Sequence, residues 1–167
     1  MNVTIDLMNA CPDAQPPDPA RFQIWAQAAL HAAANDTGSN PENEQEVSIR
    51  IIDTAESAAL NETWRHKQGP TNILSFPFEG FQGTGINLLG DLAICAPLVC
   101  QEAQEQQKSE EAHWAHLVIH GVLHLLGHDH QIPAEAAQME ALEIDLLEHL
   151  GFPNPYEPEQ PPEGLAT

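Results

Sequence analysis

The segment His120-Gly121-Val122-Leu123-His124-Leu125-Leu126-Gly127-His128-Asp129-His130 constrains this chain more than any other. His120 and His124 are four residues apart. On a helix that spacing puts both rings on one face, with Cβ atoms about 5–6 Å apart. Both imidazoles can then reach one metal ion at about 2.0–2.1 Å. Gly127 can take the left-handed conformation that ends a helix, so the chain can turn back and bring in His130 as a third ligand. Three neutral imidazoles leave the fourth position of a tetrahedral ion open, which a catalytic site requires.

Six of the nine histidines fall between positions 113 and 130. His113, His116, His120 and His124 all lie on one side of a helix at about 100° per residue. His116 with His120 is therefore also an i, i+4 pair, and helical spacing alone does not fix the ligand register. Only His120 with His124 has a glycine seven residues and a histidine ten residues after its first member. On that register His113 and His116 are helix-surface or packing histidines. His128 reads equally as a contact near the ion or substrate and as a solvent-facing turn residue. Asp129 reads either as a carboxylate that orients a ligand imidazole or as a turn-stabilising aspartate.

The spacing is that of the zinc-protease pattern H-E-x-x-H-x-x-G-x-x-H, with one element changed. The glutamate of that pattern is a general base, and Gly121 stands in its place here. A glycine cannot take a proton, which argues against a peptidase of that mechanism. A site with a metal and no local base suits a reaction that needs charge stabilisation, such as cleavage of a phosphodiester. Three imidazoles suit zinc, and also nickel, copper or iron.

The length of 167 residues is enough for one domain with a real core. No apolar run is long enough for a membrane helix, and the N-terminus does not read as a signal peptide. Cys11, Cys95 and Cys100 form no metal-type pair and read as reduced, which favours a cytoplasmic protein. Twenty-five acidic residues face five cations, for a net charge of −20. Nonspecific nucleic-acid binding depends on Lys and Arg, so this balance opposes it and no DNA partner is expected. A bound divalent ion adds local positive charge, and Arg65 and Lys67 put two of the five cations in one short segment.

Alternating apolar residues predict strands at 3–7 and 47–51. Further strands are expected at 72–76, which Pro77 stops or places on a sheet edge, and at 88–94. Asp18-Pro19 predicts a helix start, and Asp53 with Glu56 a capping box. Pro97, Ser109 and Pro133 begin three further helices, the last with an apolar face of Met139, Leu142, Leu146 and Leu147 and a stop at Gly151. Residues 79–87 read as a loop. Residues 152–167 contain five prolines and read as extended or disordered chain. Mixed elements without a regular βαβ period predict an α+β fold, with one small sheet of about four strands and about five helices.

At this point the chain resembles the YbeY family of bacterial endoribonucleases. The family motif H-G-x-L-H-L-x-G-[YH]-D-H is matched from His120 to His130. A second similar segment runs from Leu60 through Trp64-Arg65-His66-Lys67 to Pro77, and a third from Leu89 to Ile94. Similarity continues through Met139-Glu140-Ala141-Leu142-Glu143 and Leu150-Gly151, so it covers residues 1–156 and leaves 157–167 as a tail. The resemblance implies a compact α+β domain and one zinc held by His120, His124 and His130. It implies single-strand cleavage in ribosomal RNA maturation, near the 3′ end of 16S rRNA, and a part in ribosome quality control. The small ribosomal subunit and basic ribosomal or assembly proteins would be partners. The family arginine matches Arg65, whose planar fork suits a phosphate in the transition state. Lys67 is a weaker candidate for an RNA-backbone contact. Many members carry tyrosine where this chain has His128. Two other readings stay open: a zinc-stabilised assembly factor without essential catalysis, and a metal-dependent hydrolase of another substrate.

Overall fold

Alternating residues of the central strands point to opposite faces of one sheet, and both faces are covered. A computed structural model describes residues 3–37, 45–77, 87–126 and 133–156. These form strands β1 (Val3–Asn9), β2 (Gln45–Ile52), β3 (Ile73–Pro77) and β4 (Asn87–Cys95). The helices are α1 (Pro19–Thr37), α2 (Thr54–Arg65), α3 (Ala96–Glu105), α4 (Glu110–Leu125) and α5 (Pro133–His149). The strand order is β1-β2-β4-β3. β2 pairs in parallel with β1 and β4, and β3 runs antiparallel to β4 as an edge strand. The sheet is thus mixed, as an α+β fold allows, with α1 as the crossover between the parallel strands β1 and β2.

Val47, Ile49, Ile51, Leu92 and Ile94 face the larger core, built with α1, α4 and α5. Phe22 packs edge-on against both Trp25 and Trp114 there, each at 5.7 Å between ring centroids. Ile52, Leu74, Ala93 and Cys95 face the other way, towards Leu60, Phe76 and Leu98. Helices α1, α4 and α5 thus cover one face of the sheet and α2 the other, while α3 puts Ala96 and Val99 into the larger core and Leu98 against the smaller one.

The helix starts follow the local chemistry. Asp18 Oδ1 accepts the Ala20 N–H at 3.0 Å. Asp53 caps α2 by accepting the Glu56 N–H at 2.8 Å, and Ser109 caps α4 by accepting that of Ala112 at 3.1 Å. Gly151, at φ +91°, ends α5 in the left-handed conformation. Gly90, at φ +150°, lets β4 pass the Phe76 carbonyl, where a Cβ would collide with backbone.

Helix α4 is buried on most of its circumference, and the sheet packs against it at Gly121. Its less buried arc carries His116, His120 and His124. Of residues 152–167, expected to be extended or disordered, the first five are docked chain without helix or strand. Phe152 packs on Trp25 at 6.4 Å, Lys108 Nζ donates to the Pro155 carbonyl at 3.0 Å, and Tyr156 reaches α5. Proline limited helix and strand here but did not prevent docking. The expected helix stop at Gly127, residues 79–86 of the expected 79–87 loop and the tail (157–167) lie outside the described residues, and Asn87 begins β4.

Candidate metal centre and its surroundings

The histidines of α4 form a ladder along one face. Ring centroids are 6.2 Å apart for His113 and His116, 6.0 Å for His116 and His120, and 4.7 Å for His120 and His124. The expected ligand pair is the closest of the three.

His113 is buried, and its Nε2 lies 2.8 Å from Glu102 Oε1 on α3. Burial lowers its pKa, and Glu102 opposes this without reversing it. His113 is therefore a packing histidine with a polar partner.

His116 and His120 converge on Glu143 of α5. His120 Nδ1 lies 2.7 Å and His116 Nε2 3.1 Å from Glu143 Oε1, and the Tyr156 hydroxyl donates to Oε2 at 2.6 Å. The Glu143 side chain is wholly buried. A buried carboxylate is costly unless donors surround it, and three do so here. Burial pushes the Glu143 carboxyl up, but hydrogen bonds from His116 and His120 outweigh it and hold the pKa at about 2. The same environment drives the Tyr156 hydroxyl well above its ordinary value, by burial first and then by the neighbouring carboxylate.

An ionised Glu143 can only accept, so the facing nitrogen of His120 carries the proton. His120 is then the Nδ1–H tautomer, and coordination by this ring runs through Nε2. That is how a carboxylate commonly fixes a metal-binding imidazole. His116 spends Nε2 on Glu143, and its Nδ1 is enclosed in protein with no hydrogen-bond partner among the described residues.

His116, His120 and Glu143 offer three ligand atoms within 4.8 Å of one another, a group that could hold a metal ion. Two ligand atoms of one tetrahedral ion, each about 2.0–2.1 Å from it, stand roughly 3.3 Å apart. The separation of 2.7 Å between His120 and Glu143 is instead that of a hydrogen bond. The geometry therefore favours Glu143 as the group that orients His120. The rings of His120 and His124 stand 4.7 Å apart, and Glu143 fixes the tautomer of the first. His128, Asp129 and His130 lie outside the described residues.

Gly121 answers the question of the missing base. A Cβ at this position would meet Leu92 Cδ2 at 2.8 Å and Ile73 Cδ1 at 2.9 Å. The position faces the sheet, so a glutamate there would enter the core.

Arg65 ends α2 and is exposed, and its Nη2 donates to the Ser75 carbonyl on the edge strand β3 at 2.8 Å. Arg21 is paired with Glu111 and Arg50 with Glu56. Among the described residues no carboxylate forms an ion pair with Arg65 or Lys67. The following loop is held from below. Ser57 Oγ donates to the Thr71 carbonyl and accepts its N–H, at 2.7 and 2.9 Å, and Asn61 Nδ2 donates to the Gly69 carbonyl at 2.9 Å. His66, at φ +59°, closes α2. Residues 65–69 are exposed on this fixed frame.

Sequence reasoning did not single out Glu143. A signal was present: Met139, Glu143 and Leu147 are spaced by four, and all three are buried. A carboxylate in a buried stripe needs partners, and the histidine face of α4 supplies them.

These features define a class: an α+β domain whose buried helix carries a histidine-lined site able to hold a metal ion. The family model described as Endoribonuclease YbeY matches residues 11–151, and the chain belongs to that family. It is 52% identical to Endoribonuclease YbeY of Nitrosococcus oceani, over 94% of this chain and 99% of that one. The corresponding protein of Methylococcus capsulatus is 55% identical, over 84% and 87%. The solution structure of TM1509 from Thermotoga maritima is similar in fold, with a TM-score of 0.53 and 18% identity, covering 92% of this chain and 99% of that one. Among the described residues no helix is long and apolar enough to cross a membrane.

Proposed function

We propose that this protein is a zinc-dependent endoribonuclease, specific for single strands, that acts in cytoplasmic ribosomal RNA maturation at the 3′ end of 16S rRNA and in ribosome quality control. His120, His124 and His130 would hold the ion. The observation that carries this reading is the buried Glu143 carboxylate on His120 Nδ1, beside a His124 ring only 4.7 Å away. When bound, the ion supplies Lewis-acid charge for an anionic phosphodiester; nickel or another divalent metal would do so too. Glu143 fixes the tautomer and angle of His120. Arg65, unpaired with any carboxylate among the described residues, holds non-bridging phosphate oxygens through its fork. Lys67 adds a contact to the RNA backbone. Asp129 or His128 would further orient the site. The absence of a base at position 121 accords with phosphodiester rather than peptide chemistry.

The zinc-loaded protein is assayed on single-stranded RNA and on casein, beside Arg65→Lys. RNA cleavage without casein cleavage, and a marked loss in Arg65→Lys, is the expected result. Unchanged cleavage by Arg65→Lys removes the guanidinium from the transition state. The carboxylate pairing of Arg21 and Arg50 favours a second reading, an assembly factor brought to the small subunit by basic proteins. Normal subunit association of a His120→Ala chain, together with no cleavage by the wild type, supports that reading instead.

A further inference from the structure

Trp64 is the most exposed large apolar side chain among the described residues, at 62%, while Trp25 and Trp114 are almost fully buried. It precedes Arg65 in the last turn of α2. Its ring meets Phe76 edge-on, at 6.0 Å and 73°. Phe76 belongs to β3, the strand whose Ser75 carbonyl holds Arg65. An indole and a guanidinium are thus both braced on the same edge strand. Lys67 follows, exposed and in no ion pair among the described residues. In a chain of net charge −20, this exposed aromatic lies beside two cations that form no ion pair with a carboxylate among the described residues. An apolar protein partner would not need that charge, whereas a single-stranded nucleic acid needs both features: a flat face for a base and cations for its phosphates.

We propose that Trp64 is a stacking platform for one unpaired base of the RNA, adjacent to the phosphate held by Arg65. This rests on the endoribonuclease reading and extends it. Phe76, edge-on, restrains the indole and leaves its accessible surface for a base. A stack of this kind recognises unpaired nucleotides because a paired base has no free face to offer, and it discriminates little between the bases. It supplies a physical source of single-strand preference. It also lets a strongly acidic protein hold RNA with few phosphate contacts.

The test is a fluorescence titration of the metal-loaded protein, since Trp64 is the one tryptophan in the described structure that solvent reaches. The probes are a single-stranded 2′-O-methyl oligonucleotide and an abasic strand of the same length and charge. The base-bearing strand is expected to quench the emission and the abasic strand to leave it nearly unchanged. With fluorescein-labelled strands and anisotropy as the readout, since these variants lack the reporting indole, Trp64→Leu should weaken binding of the base-bearing strand by about 10-fold, with no change for the abasic strand, and Trp64→Tyr should restore most of the loss. Equal affinity of Trp64→Leu and wild type for the base-bearing strand, or equal quenching by both strands, overturns the platform. If the wild type still cleaves RNA in that case, the nuclease reading survives and the aromatic patch serves a protein partner. If the wild type neither binds nor cleaves RNA, both readings fall.

Discussion

Glu143 Oε1 and His120 Nδ1 are 2.7 Å apart, and this contact ties α5 to the histidine helix through a wholly buried carboxylate. A carboxylate acceptor at Nδ1 makes the ring a better and better-aimed ligand through its other nitrogen. Glu143→Gln keeps the size but replaces an acceptor with an amide N–H₂ among three donors. Zinc affinity is expected to fall by about 10- to 100-fold. Competition with a chelating dye measures it without recourse to activity. An unchanged dissociation constant would show that Glu143 does not orient His120.

The two possible ligand sets share His120 and differ elsewhere. If His124 is a ligand and His116 is not, His124→Ala loses the ion while His116→Ala keeps about one per chain. Metal analysis after gel filtration separates them. Loss of the ion in His116→Ala with retention in His124→Ala would instead assign it to His116, His120 and Glu143.

Gly121 is a packing position, and its substitutions should sort by polarity. Gly121→Ala gains helix propensity of about 1 kcal/mol and must displace only the flexible ends of Leu92 and Ile73. Its urea midpoint should stay near that of the wild type. Gly121→Glu restores the protease letter but buries a charge against the sheet, at a cost on the order of 3 kcal/mol or more. It should gain no peptidase activity. A stable Gly121→Glu that cleaves casein would refute the placement.

His113 makes the protein sensitive to mild acid. Its folded pKa is depressed, so the unfolded chain takes up this proton first as pH falls. Stability contributed by the neutral, buried ring is present above about 6.5, the ordinary histidine value. It declines below that value until pH reaches the lower, folded pKa. Of the groups that face the ring, Glu102 tempers the effect, whereas Lys108 and His116 deepen it. Urea midpoints at pH 8 and pH 5 should diverge less in His113→Gln than in the wild type. An equal divergence would place the acid sensitivity in other groups.

The sequence by itself determined the local elements and the ligand helix. Asp53, Ser109, Pro19 and Gly151 mark helix ends because capping and left-handed geometry depend on neighbouring residues alone. Helical periodicity put four histidines on one face for the same reason. Alternation in Val47, Ile49 and Ile51 announced a strand but not its partners, since pairing joins residues far apart in the chain. The tertiary structure alone decided that β2 lies between β1 and β4. It decided that Gly121 faces Leu92, so the missing base is a packing requirement as well as a lost proton acceptor. It brought Glu143, 23 residues from His120, into hydrogen-bond range of the ring. Composition predicted loose chain from residue 152, whereas Tyr156 closes over the Glu143 carboxylate. A buried charge is satisfied by donors from other elements, and only packing brings those donors together.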